Sequence, residues 1–160
     1  MNPYIPPNRF LTLLFLVLLS AVPACRQEPP AGVVEGLPEG KLVIGDSDLT
    51  LEVQLALNLS DQASGLMGVS EIPRNYGMVF LWSTPGIHSF YMKNTLIPLD
   101  IAFWDTGGRI IDIQTMEPCE QESCPVYTPP GPHTGAVEVR AGLFEAEGVE
   151  VGDRVELTET

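Results

Sequence analysis

The sequence predicts an α+β fold: a compact, mostly antiparallel, curved β-sheet or partly closed β-barrel with two short helices. Three observations predict it. Apolar residues recur with a period of two or in short unbroken runs, each bounded by turn residues. Only two short stretches carry helical signals. Strands therefore outnumber helices too strongly for alternating βαβ units, which leaves a mostly antiparallel sheet.

Taken in order, KLVIGDSDLTLEVQLALNLS (41–60) holds two strands around a turn at Gly45 to Asp48. In the second, Leu49, Leu51, Val53, Leu55, Leu57 and Leu59 alternate with smaller or polar residues, the pattern of a strand with one buried face. A short helix follows in SDQASGLMGV, with Ser60 or Asp61 as its N-cap and Gly68 as its stop. GMVFLW (77–82) is an unbroken apolar run, the mark of a strand buried on both faces. HSFYMKN, LDIAFWD and GRIIDIQTM then give three strands, the last two joined by the hairpin turn DTGGR. Glu117 to Thr134 carries five prolines and two cysteines and reads as a long constrained loop. GAVEVRAG is a strand with Glu138 facing opposite to Val137 and Val139. LFEAEG gives one or two helical turns, and GVEVGDRVEL ends in a turn and a short strand.

These elements make residues 41–160 one domain, as a length of 160 residues allows. Residues 1–24 carry one cation, Arg9, and an apolar stretch from Phe10 to Val22 that is short for a membrane span of about 20 residues. It fits the hydrophobic region of a secretory signal. Its end, VPAC, resembles the lipobox of bacterial lipoproteins, although Val22 and Pro23 depart from the usual residues. The expectation is a lipid on Cys25 and an exported, membrane-anchored protein of the cell envelope. Ordinary cleavage after Ala24 and an uncleaved anchor are the alternatives. Residues 25–40 are rich in Pro and Gly without apolar periodicity and read as a tether.

With 21 acidic and 8 basic residues the formal charge is −13, and the cations are scattered singly. Such a chain is a poor match to a phosphate backbone, so nucleic acid is not an expected partner. In an oxidising compartment Cys119 and Cys124 are expected to form a disulfide. Zinc held by these cysteines with His88 and His133 is the lesser alternative. Copper on Met67, Met78, Met92 and Met116 with the histidines is another.

The ordered set GLMGV, GMVFLW, FYMKNTLIPLDIAFWD, GRIIDIQTMEPC, CPVYTPP and AVEVRAGLFEAEGVEVGDRV resembles the family called domain of unknown function 192. The resemblance covers nearly all of the chain after the tether. It implies a single small α+β domain, often exported or lipid-anchored, and no established activity.

YMKNTLIPLD (91–100) sets one of the few cations among large apolar residues. Alternation puts Phe90, Met92 and Asn94 on one face and Tyr91, Lys93 and Thr95 on the other. A buried ammonium is costly, so the structural reading pairs Lys93 with Asp100 or sends it to water, with Asn94 and Thr95 as turn formers. The functional reading gathers Lys93, Asn94, Thr95 and Asp100 at the mouth of a pocket for a small anionic or polar ligand or an envelope protein. Tyr91, Trp104 and Trp82 would form its apolar wall, and Glu138 would join the polar cluster or be solvated. No G-x-S-x-G, S-x-x-K, H-E-x-x-H or phosphate-cradling motif occurs. The expectation is therefore a binding domain with no cofactor and no catalytic residue, the alternative being an envelope enzyme using Lys93, Asp100 and Glu138.

Overall fold

The computed structural model describes Met1, Gly32, residues 34–47 and residues 49–159. Cys25, the expected signal segment apart from Met1 and most of the expected tether lie outside the described residues. Nine strands and two α-helices are present among the described residues, in the order β1 (Glu39–Ile44), β2 (Leu49–Ala56), α1 (Leu59–Ser64), β3 (Tyr76–Gly86), β4 (Phe90–Tyr91), β5 (Leu99–Trp104), β6 (Ile110–Met116), β7 (Val126–Tyr127), β8 (His133–Arg140), α2 (Leu143–Glu147) and β9 (Val155–Glu159). Seven strands form one sheet in the order β6-β5-β8-β3-β2-β1-β9, and β4 pairs with β7 in a separate ribbon. Every ladder is antiparallel except β2–β3.

The fold is thus the expected α+β, mostly antiparallel sheet. One face gathers Leu42, Leu51, Val79, Val137, Ala102, Ile110 and Leu157, which come from all seven strands including both edges. That face is the inside of the curve, and Leu143 and Phe144 of α2 fill it. The edges approach at one corner through the Arg109–Arg154 bridge, where Ile110 N–H donates to Asp153 and Val155 N–H to Gly108. Strands β6 and β9 do not pair further, so the sheet is open and no barrel closes. Trp104 lies flat against Gly135, where any Cβ would occupy the space of the indole ring.

The other face of β3, β5 and β8 buries Met78, Phe80, Ile101, Phe103 and Ala136 under the connecting segments. The parallel β2–β3 pair creates this cover. A parallel neighbour demands that the chain return along the sheet before pairing again, and residues 57–75 do so across this face, carrying α1. Val34, from the expected tether, also docks here: its N–H and C=O bond Gln54 Oε1 at 2.7 Å and Nε2 at 2.6 Å.

Several local expectations need correction. The alternation in the second strand holds to Leu55. Leu57 and Leu59 are exposed, because β2 ends at Ala56 and Asn58 starts the helix instead of Ser60 or Asp61. The Asn58 side chain accepts hydrogen bonds from the Ser60 and Asp61 N–H groups, and Gly65, with φ of 47°, ends α1 before Gly68. HSFYMKN shrinks to the two residues of β4, since the chain turns at Asn94, the one described non-glycine residue with positive φ (58°). β3 runs past Trp82 to Gly86 because Gly86 pairs with His133 after a bulge.

Candidate functional site

The residues expected to line one pocket occupy three places. Asp100 and Trp104 lie on the inner face. Asp100 is buried, accepting from the Thr115 hydroxyl at 2.8 Å and from the Gly142 N–H at 2.8 Å. Both oxygens are satisfied, so Asp100 fastens β5 to β6 and to the start of α2. Trp104 is core.

Lys93 and Asn94 belong to a knot at the disulfide. Cys119 and Cys124 are bonded, as expected, with Cα atoms 5.8 Å apart. Lys93 pairs with Cys119 through a parallel bridge, and its Nζ donates to the Gln121 carbonyl at 2.7 Å. Asn94 N–H donates to the Cys119 carbonyl, while the Asn94 carbonyl accepts from Gly68 at 2.9 Å. The Lys93–Asp100 ion pair does not form, because Lys93 lies outside the sheet at the disulfide loop while Asp100 is buried in β5 against Thr115 and Gly142. Asn is among the few residues that accept the left-handed backbone this turn needs.

Thr95, Tyr91 and Glu138 do come together. They line a cavity of about 490 Å³ between α1, the Gly65–Met67 turn, the end of β3 and β4. Trp82, also expected in the wall, lines it together with Leu66, Phe80 and Phe90, while α1 and the turn after it supply Gln62, Ser64 and Met67; the exposed Leu59 and Ile87 stand at its rim. Glu138 projects from β8 opposite to Val137 and Val139, beside Met78 of β3 and Ile101 of β5 in the ladder. It is 6 % exposed and, among the described residues, has no ion pair or hydrogen bond. Burial without a compensating partner pushes its carboxyl up to about 8. At neutral pH the cavity therefore presents a carboxylic acid, able to donate and to accept, within an aromatic lining.

The DUF192 sequence model, described as "Uncharacterized ACR", matches residues 41–157, well over half of the chain. The chain belongs to the DUF192 family. This DUF192 chain is similar to a UPF0127 protein of Pyrococcus furiosus, 28% identical over 114 residues that cover 68% of this chain and 89% of the relative. A UPF0127 protein of Pyrococcus horikoshii is 30% identical over 109 residues, 65% of this chain and 85% of that one. Among solved structures it is similar to a protein of unknown function from Novosphingobium aromaticivorans (TM-score 0.71, 33% identity, 77% of this chain and 88% of that one). It also resembles a Sinorhizobium meliloti protein described as a putative transcription regulator (TM-score 0.65, 30% identity, 78% and 95% covered).

Sequence reasoning missed how the histidines of this DUF192 domain are used. His88 stacks on Trp82 with ring centroids 4.1 Å apart, and His133 meets Trp82, His88 and Phe103 edge-on at 5.0–5.3 Å. His133 is fully buried, and among the described residues both its ring nitrogens lack a hydrogen-bond partner, as does His88 Nε2. Burial lowers the affinity of both rings for a proton. At His133 the nearby Gly131 backbone opposes this without completing a bond of good geometry, and His88 adds to it. Both rings are neutral members of one aromatic cluster, in which His88 lines the cavity and His133 lies behind it. Zinc through the cysteines is overturned by the disulfide, and among the described residues no three His, Cys, Asp or Glu side chains gather. Met78, Met92 and Met116 are core.

Proposed function

We propose that this protein is an exported binding domain, lipid-anchored at Cys25 to an envelope membrane, whose α1-covered cavity holds a small ligand. The observation that carries the binding reading is Glu138: a buried carboxyl, open to a cavity of mixed aromatic and polar lining and unpaired among the described residues. A purely structural core would fill that space with an apolar side chain. Of the expected anionic or polar ligand, the anionic form finds no support, since Lys93 points to the disulfide loop and, among the described residues, no Lys or Arg lines the cavity. Lys93 and Asp100 also share no site at which to act together in catalysis. The regulator description of the Sinorhizobium relative does not extend readily to this chain, because a charge of −13 disfavours DNA.

Native mass spectrometry tests the proposal on the full chain, expressed with its own leader, extracted in detergent and purified without chelator. The expected mass begins at Cys25 with an attached lipid and carries a retained small molecule. Ala63→Trp, on the exposed cavity side of α1, should release that molecule while keeping the lipid. A bare mass in both proteins would remove the tight-ligand reading, and an unlipidated mass would remove the anchor.

A further inference from the structure

Resting on the binding reading above, the geometry points to an organic ammonium group as the part of the ligand that Glu138 receives, as a carboxylate–cation pair inside the aromatic cavity. Four observations favour this class. The buried carboxyl has no counter-charge among the described residues. The rings of Phe80, Trp82, Phe90 and Tyr91 line the same cavity, and aromatic faces attract cations more strongly once water is excluded. Among the described residues, none that lines the cavity is a lysine or arginine that would repel such a ligand. The chain as a whole is acidic, so its field draws cations toward it.

The cavity volume of about 490 Å³ admits a substituted ammonium with room for a further group toward the rim at Leu59 and Ile87. Thr95 lies in the same wall, 5 % exposed, with no side-chain hydrogen bond among the described residues. Its hydroxyl suits a polar substituent beside the cation.

Binding is coupled to a proton. The free carboxyl is protonated below about pH 8, so the incoming cation displaces that proton to solvent and leaves the carboxylate paired with the ammonium. His88 and Tyr91 are the other titratable groups lining the cavity, and Arg140 lies two residues along the same face of β8 without pairing to Glu138. His88, already held neutral by burial, contributes no charge across the window from 7 to 9.

The test is isothermal titration calorimetry on the full chain in detergent, with choline and its uncharged isostere 3,3-dimethylbutan-1-ol. At pH 9 choline is expected to bind about tenfold more tightly than the alcohol. Its affinity should fall by about tenfold per pH unit below 8, with heats in different buffers showing release of one proton. Glu138→Gln should abolish both the preference and the proton release while keeping a cooperative thermal transition. Equal binding of both probes, unchanged in Glu138→Gln, would overturn the ammonium assignment and leave the cavity as a site for uncharged ligands. Absence of choline binding together with a bare native mass would overturn both readings. Absence of choline binding with a retained uncharged molecule would overturn only the cation.

Discussion

Single side chains set how this molecule responds to pH. Glu138 holds its proton far above the ordinary value of 4.5, up to about 8. Between those values the unfolded chain gives up a proton that the folded one keeps, so stability falls as pH rises through the window. The slope is at most about 1.4 kcal/mol per unit. His88 and His133 act in the opposite sense: held neutral by burial, they lose stability as pH falls through 6.5, where the unfolded chain takes up protons that the fold refuses. Chemical denaturation from pH 5 to 9 should therefore show Glu138→Gln removing a loss of stability that develops from pH 5 to about 8. His133→Leu should make the acid decline shallower, at a cost near zero, because two unpartnered nitrogens leave the core. Identical pH profiles for variants and wild type would refute the assignment.

At the scale of elements, α1 is the weakest part of the site. It has six residues, none of them buried, and depends on its Asn58 cap. Isolated helices of that length are not stable, so the cap and the Gln62 side-chain bonds to the Ala56 and Leu81 carbonyls hold it in place. Asn58→Ala should cost about 1 kcal/mol and show as faster hydrogen exchange in residues 59–65, with β8 amides little changed. Uniform acceleration across the sheet would contradict a locally acting cap. The same contrast explains what the sequence made legible. β2, β3, β5, β6 and β8 announce themselves through periodicity or unbroken apolar runs because burial on the sheet selects such patterns. The end of β2, the helix cap and β4 were misread because short-range hydrogen bonds and the left-handed turn at Asn94 settle them, and these leave little hydrophobic signal.

Across the whole molecule, the motif that drew notice as a site is divided between two faces and a disulfide knot. Strand alternation correctly separates Glu138 from Val137 and Val139. It cannot say that Thr95 and Tyr91 reach the same cavity, since long-range topology decides that. The knot joins segments far apart in the chain: Gly68 to Asn94, Asn94 to Cys119, and Lys93 to Gln121. The Cys119–Cys124 ring spans a sequence separation of 5, so Cys119→Ser with Cys124→Ser should lower stability by about 2 kcal/mol. Denaturant unfolding of the double variant checks this. Lost cooperativity would mean that the disulfide anchors the whole fold, beyond its own loop.

The parallel β2–β3 ladder has a further consequence. The β2–β3 register depends on residues of the two strands, whereas the excursion between them, residues 57–75, is anchored under the sheet at a few points, chiefly the buried Leu66 and Ile72. Nearly half of the cavity wall, from Leu59 to Met67, lies in that excursion, while Glu138 sits on a central strand. Floor and rim are thereby largely separate. Replacements at exposed crossover positions such as Leu59 and Ala63 should reshape the rim while the buried Leu66 and Ile72 keep the crossover seated, so it works as an adjustable frame on a constant floor.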